Sequence, residues 1–458
     1  MIFNSTITAL STPPGKGGVA VIRMSGEDAI AIAERCFRAR CGKPLASLPS
    51  RTAIYGDFLA DGEAVDDLLL TIFRAPSSYT GEDTVEIASH GSSLIVSVIL
   101  ETLIKNGAVP AERGEFTRRA FTAGKLGLSE AEAIGELLDA KSMTQLKLFG
   151  KDSRSRLSKT LGGLYEGLET LVSTVYAKID YPDEDLADLS EAEILARAEE
   201  ILAKATALSS TYKTGRAIAE GIPTVLLGKP NTGKSSLYNL LCGRDAAIVT
   251  EYAGTTRDVL EATVTAGKVL LRLADTAGVR ETDDPIEKIG VTRSRETAES
   301  AELVLALFDA SLPADGEDEA LLSFIDGLKG EKIALLNKSD LDTRFDTETL
   351  VGHFEHILPI SVKGNDCEGL FRLIEAMFTD ERIHVGEDAI LSSARQHAAL
   401  ASAISYIKSA IEALRTGYAQ DAAVSDLELA LGALAETDGR AVSDGILSAI
   451  FSKFCVGK

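Results

Sequence analysis

Over the first 120 residues apolar and polar side chains alternate in short runs, the two-residue period of strands with one buried face. "GVAVIRMSG", "DLLLTIF" and "DTVEIAS" read as strands, and "DAIAIAERCFRA" and "SSLIVSVILETLIKNG" as helices, which predicts an α+β domain over 1–120. From Ser129 the spacing lengthens to that of amphipathic helices, and Gly and Pro become scarce. "SEAEAIGELLDAKSMTQLKLF", "LGGLYEGLETLVSTVYAKIDY" and "SEAEILARAEEILAKATALSSTYKTG" predict long antiparallel helices over 121–215. Strand-like apolar runs alternate with helices from Ile222 to about 380, marking an α/β domain over 216–380. Helical spacing returns in "SSARQHAALASAISYIKSAIEALRTG" and "AVSDLELALGALAE", within 381–458. One helical domain interrupted by an α/β insertion is the economical arrangement; two separate helical domains produce the same periodicity.

At 458 residues, 45% hydrophobic and 25% charged, the composition is that of an ordinary globular protein of several domains. No apolar run approaches the ~20 residues that span a bilayer. The opening "MIFNSTITALSTPPGKGG" lacks the basic and apolar regions of a secretion signal, so a cytoplasmic location is expected. The five cysteines are scattered, without zinc-site spacing, and Cys36, Cys41, Cys242 and Cys367 are expected to be inert thiols. His353 and His356 stand three apart with no carboxylate framework around them, which favours solvated or packing roles over a metal. The net charge of −22 argues against nonspecific nucleic-acid binding, which needs Lys and Arg. Residues 1–126 hold 13 basic and 14 acidic side chains, however, so a polyanion would meet this near-neutral part or be held with a second protein's help.

The inserted section carries the clearest chemistry. "TVLLGKPNTGKSSLYNLL" is a strand, the loop Gly228-x-x-x-x-Gly233-Lys234-Ser235, and a helix. The glycines admit backbone N–H groups to phosphate oxygens, Lys234 neutralises β/γ charge, and the Ser235 hydroxyl suits Mg²⁺. Asn231, Thr232 and Ser236 complete the loop and first turn as GTP-binding positions. Further on, "AGTTRD" offers Thr255 or Thr256 to the metal and γ-phosphate, and a strand ends in Asp275-Thr276-Ala277-Gly278. There Asp275 can hold Mg²⁺ and the Gly278 amide can meet the γ-phosphate. "KIALLNKSD" delivers Asn337-Lys338-Ser339-Asp340, whose Asp340 carboxylate accepts from guanine N1–H and the exocyclic amine. Ser361-Val362-Lys363 is a weaker match to the last guanine motif, which usually has Ala in the middle. All of these in order indicate a guanine-nucleotide enzyme. Val279 stands where Ras-type proteins carry the glutamine that positions water, so another group must do so, with Arg280, Glu281 and Glu287 nearby.

"GKPNTGKSSLYNLL", "IVTEYAGTTRD", "DTAGVR" and "NKSD" resemble the G domain of the MnmE (TrmE) family of tRNA modification GTPases. "TITALSTPPGKGGVAVIRMSG", "PSSYTGEDTVEIASHG", "GEFTRRAFTAGKLGLSEAEAI" and the closing "CVGK" are similar to that family's N- and C-terminal signatures, so the likeness covers the whole chain. The resemblance implies a homodimer whose G domains close face to face around potassium, with Asn231, Thr250, Tyr252 and Thr255 at the ion-holding positions. It also implies Mg²⁺ on Ser235 and Thr256, Thr250 among the GTP-binding residues, and Glu287 orienting the attacking water. For the N-terminal domain it implies a tetrahydrofolate site, with a 5-formyl or methylene derivative, at Arg23, Glu82, Lys125 and the terminal Lys458. Cys455 matches the tail's cysteine; a thiol role in one-carbon transfer and simple packing both stay open.

The resulting expectation is a GTPase, cofactored by Mg²⁺ and K⁺, that drives modification of the wobble uridine of tRNA. It would act with the FAD-dependent partner MnmG, since this chain has no dinucleotide fingerprint of its own. A GTP-switch ribosome-assembly factor is the alternative, and a folate-dependent methyltransferase with a regulatory GTPase is a further one. No membrane partner is expected.

Overall fold

The computed structural model describes residues 5–180, 190–243, 261–274, 296–365, 367–416, 420–441 and 444–457. The Cα framework forms two compact units, one from residues 1–138, 161–170 and 427–458, the other from 139–160 and 171–426.

The first unit is built on a seven-stranded sheet. Its strands are β1 (Ile7–Leu10), β2 (Gly17–Ser25), β3 (Phe37–Ala39), β4 (Ala53–Ala60), β5 (Glu63–Phe73), β6 (Thr84–Gly91) and β7 (Val109–Pro110), in the order β3-β4-β5-β6-β2-β1-β7. Helices α1 (Ala29–Cys36) and α2 (Ser93–Lys105) belong to the same layer pair. Ile22 and Met24 of β2, Leu70 and Ile72 of β5, and Val85 and Ile87 of β6 are buried with Ile32 of α1 and Ile99 and Leu103 of α2. The two-residue strand period sends the intervening side chains to the other face, where Arg23 of β2 stands directly opposite Glu86 of β6. The helix expected over "DAIAIAERCFRA" stops at Cys36, because Phe37 turns extended and opens β3. The Phe37 ring lies where a Cβ on Gly56 of β4 would stand, so the glycine admits the short strand.

On the same sheet, His90 Nδ1 lies 2.7 Å from Asp66 Oδ1. That hydrogen bond and the carboxylate charge raise the His90 pKa above its ordinary ~6.5. The pair's stabilisation is therefore complete below the ordinary value and is lost as pH rises through the raised one. In an NMR titration Asp66→Asn is expected to lower the His90 midpoint; a midpoint indifferent to the substitution would contradict the pairing.

Helices follow: α3 (Glu115–Thr122), α4 (Leu128–Leu138), α5 (Met143–Leu148), α6 (Lys151–Asp180), α7 (Glu191–Ser210) and α8 (Tyr212–Ala219). The single helix expected from Ser129 to Phe149 is two, α4 and α5. Ser142 caps α5 by accepting from Gln145 N–H at 3.1 Å, and the Gln145 side chain accepts from Lys141 N–H at 2.6 Å. Ser190 and Glu193 form a reciprocal capping box at the start of α7.

The α/β section contains β8 (Ile222–Gly228), α9 (Lys234–Cys242), β9 (Glu261–Ala266), β10 (Val269–Ala274), β11 (Leu303–Asp309), α10 (Gly316–Asp326), β12 (Glu331–Asn337), β13 (His356–Pro359) and α11 (Glu368–Phe378). The strand order is β13-β12-β11-β8-β10-β9, parallel except for the β9–β10 pair. β11 is buried along its whole length, as a central parallel strand must be. The chain leaves β8 toward one edge and returns through β11 toward the other. The carboxyl end of β8 is therefore the topological switch point, where open α/β sheets bind ligands.

After the insertion come α12 (Ala394–Thr416), α13 (Gln420–Asp438) and α14 (Asp444–Ser452). α12 packs antiparallel on α7: Arg415 meets Glu199 at 2.6 Å, and the His397 ring stacks on Tyr212 with centroids 4.0 Å apart. Helices on either side of the α/β section thus pack on one another within the second unit. In the first unit, Phe451 and Phe454 bury themselves with Leu128 and Ala131 of α4. Among the described residues no helix is long and apolar enough to cross a membrane, and neither His353 nor His356 joins a metal-type cluster.

Candidate functional site

Gly228 ends β8 at φ +153°, where a Cβ would lie 2.6 Å from the Leu307 carbonyl oxygen. The loop then closes on itself. Thr232 Oγ1 donates to the Lys229 carbonyl at 2.9 Å, and the Lys234 ammonium donates to the carbonyls of Gly228 and Lys229, each at 2.7 Å. Burial lowers the pKa of Lys234, so its charge sits in a partly desolvated cradle where an anion is attracted strongly. Gly233, at φ +102°, leads into α9. The first intrahelical bond runs from Leu237 N–H to the Gly233 carbonyl at 2.8 Å. The N–H groups of Lys234, Ser235 and Ser236 therefore lie outside the helical ladder, at the positive end of the helix. Asn231 is exposed at the loop tip with a left-handed backbone, φ +64°.

Asn337, buried at the end of β12, joins three loops. Its Nδ2 donates to the Thr232 carbonyl at 2.7 Å, and its Oδ1 accepts from Val362 N–H at 3.2 Å. Lys338 follows with φ +66°, and its ammonium reaches Asp309 Oδ2 at 2.5 Å. Burial pushes the Asp309 carboxyl upward, but the bonds from Lys338 and Ser311 outweigh it and hold Asp309 below the usual carboxylate range. Asp340 Oδ1 accepts from Ser361 Oγ at 2.8 Å, which lowers its pKa. An ionised, acceptor-only carboxylate with lone pairs to spare suits guanine's two neighbouring donors. Lys363 is exposed beside it and lowers it further.

The structure thus gathers Asn231, Thr232, Gly233, Lys234, Ser235, Ser236, Asn337, Lys338, Asp340, Ser361, Val362 and Lys363 at the carboxyl edge of one sheet. Thr250, Tyr252, Thr255, Thr256, Asp275, Thr276, Ala277, Gly278, Glu287 and Lys458 lie outside the described residues. Sequence reading missed Asp309, the Lys338 partner, whose signal was a lone carboxylate closing the apolar run "LVLALFD".

A second polar cluster occupies the first unit. Arg23 donates through Nε and Nη2 to Glu86 Oε1, at 3.0 and 2.8 Å, and its guanidinium lies over the rings of Tyr79 and Phe116. Glu82 accepts from Ser25 Oγ at 2.8 Å and from Arg119 at 3.2 Å on both oxygens. The Arg119 side chain, 1% exposed, also meets Glu115 at 2.8 Å and the Ser5 carbonyl at 2.7 Å. Lys125 donates to the Pro76 carbonyl at 2.8 Å, and its stem runs past Gly81, next to Glu82. The chain's end docks on this unit. Val456 bridges to Arg113, Ser11 Oγ donates to the Gly457 carbonyl at 3.1 Å, and a Cβ on Gly457 would strike the Leu10 carbonyl. Cys455 is exposed. Arg23, Glu82, Lys125 and the tail leading to Lys458 therefore belong to one compact unit.

A glycine-rich loop between strand and helix at the switch point, with a carboxylate poised for guanine across from it, defines a P-loop GTPase. The flanks carry further likeness. Residues 6–125 match the model of the GTP-binding protein TrmE N-terminus, and residues 128–455 match that of the MnmE helical domain. The tRNA modification GTPase MnmE of Carboxydothermus hydrogenoformans is 37% identical over 100% of both chains. That of Thermotoga maritima is 38% identical over 99% of this chain and 100% of its own, and that of Listeria innocua 37% over 99% of each. The chain belongs to the MnmE family of tRNA modification GTPases.

Proposed function

We propose that this chain is a potassium-activated GTPase that works as a homodimer with MnmG, the FAD-dependent partner, on the wobble uridine of certain tRNAs. The product is an aminomethyl-type or carboxymethylaminomethyl group at C5. Tetrahydrofolate, when bound, supplies the carbon, and the redox chemistry belongs to MnmG. The observation that carries this reading is convergence: Val456 and Gly457, which lead to Lys458, pair within the unit that holds Arg23, Glu82 and Lys125.

The residues fit the groups assigned to them. Glu82 Oε1 accepts only from Arg119 among the described residues, leaving it lone pairs for the donors of a pterin ring. Arg23, Lys125 and Lys458 suit an anionic glutamyl tail. The Ser235 and Thr256 hydroxyls would hold Mg²⁺. Oxygen donors of Asn231, Thr250, Tyr252 and Thr255 would hold potassium, which supplies fixed positive charge beside the β/γ bridge. Glu287 would orient the water in place of the glutamine that Val279 replaces. A cytoplasmic location accords with this work on tRNA.

GTP turnover is expected to rise strongly in potassium and stay low in sodium; equal rates in the two salts would refute the ionic role. Glu287→Ala is expected to slow hydrolysis with GTP affinity nearly unchanged, as for a group used mainly in the transition state. Mass analysis of wobble nucleosides from cells lacking this protein tests the remainder, and an unchanged nucleoside profile would overturn it.

A further inference from the structure

The P-loop has a second lysine, and it points away from the phosphate cradle. Lys229 Nζ lies 2.7 Å from Asp315 Oδ2 and 2.7 Å from Asp318 Oδ2. Both carboxylates belong to the N-terminus of α10. Asp315 is its cap, accepting from Glu317 and Asp318 N–H at 2.9 and 3.2 Å, while Asp318 accepts in return from Asp315 N–H at 3.1 Å. The Asp318 side chain is 4% exposed, and its Oδ1 has no hydrogen-bond partner among the described residues. A carboxylate in that setting needs a nearby cation, and Lys229 supplies it. The backbone of Lys229, meanwhile, is the closure point of the loop: its carbonyl accepts from both Lys234 Nζ and Thr232 Oγ1.

We infer that Lys229 is a positioning residue for nucleotide binding: clamped by Asp315 and Asp318, it fixes the carbonyl on which Lys234 and Thr232 close the phosphate loop. The clamp joins the loop after β8 to the helix after β11, so it ties the two strands flanking the switch point at their ligand-binding ends. Hydrogen bonding from Lys229 lowers the Asp315 pKa, consistent with an ion pair kept in place at neutral pH.

The sign of a charge change separates this role from simple electrostatics. Asp315 and Asp318 are negative groups beside a loop that binds a triphosphate, so by Coulomb attraction alone their neutralisation would tighten binding. Clamping requires the reverse. Asp315→Asn is the clean variant, because Asn caps helices as well as Asp and α10 is preserved. Asp318→Asn and Lys229→Met complete the set. Each is expected to weaken GTP and GDP affinity about tenfold in fluorescence titration, with KM for GTP raised and kcat little changed. The Lys229→Met/Asp318→Asn double variant should be no weaker than the worse single one, and Lys229→Arg should restore most of the affinity. Unchanged or tighter GDP binding by Asp315→Asn overturns the inference, as does an additive double variant. Should Lys229→Met fail to fold, the Asp315→Asn titration decides alone.

Discussion

Gly233→Ala is expected to weaken guanine-nucleotide binding roughly a hundredfold while leaving the chain folded. The residue sits at φ +102°, in the left-handed region where a side chain costs about 1–3 kcal/mol. Its added Cβ would also overlap the Asn337 amide nitrogen. Asn337 cannot yield without loss, since it is 3% exposed and its two polar atoms are committed to Thr232 and Val362. Displacing it would part the glycine-rich loop from the loops that carry Asp340 and Val362. Together these effects should weaken GDP affinity by about 3 kcal/mol, roughly a hundredfold. Titration with a fluorescent GDP analogue, beside a thermal melt, measures this; affinity within a few-fold of the parent chain would mean that Asn337 does not organise the site.

Arg119→Met is the second large effect, and it falls on stability. The substitution keeps the stem's bulk but removes the guanidinium that meets Glu82, Glu115 and the Ser5 carbonyl. Two carboxylates are then left together without their cation. Breaking a buried ion pair costs about 3–5 kcal/mol. The low end applies here, because Glu82 is a quarter exposed and partly screened. In a chain of two units a single melting temperature is not the right measure. Hydrogen exchange should show lost protection across 5–125, with GTP affinity of the α/β section retained. Intact protection across 5–125 would mean that the guanidinium is dispensable there.

The α/β section was legible because its signals are local. A strand, a loop and a helix follow one another within 21 residues from Ile222 to Cys242, and the special backbone angles fall on Gly228 and Gly233. Elsewhere local signals misled. β3 was hidden inside an apparent helix because its extended state depends on Gly56, 19 residues further on, leaving room for Phe37. β1 and β4 carried no pattern strong enough to read, since "ITAL" and "AIYGDFLA" become strands by pairing with β2 and β5.

The amino-acid order by itself determined the glycine-rich loop, the Asn337–Asp340 run and the alternation between helical and α/β sections, because each depends on residues close in the chain. It took folding to show that Arg119 neutralises Glu82, that Asp309 holds Lys338 and that Lys229 is clamped to α10. Those pairs lie 37, 29 and up to 89 residues apart. Their energetics depend on burial and on a third group within hydrogen-bond reach, neither of which a spacing in sequence records.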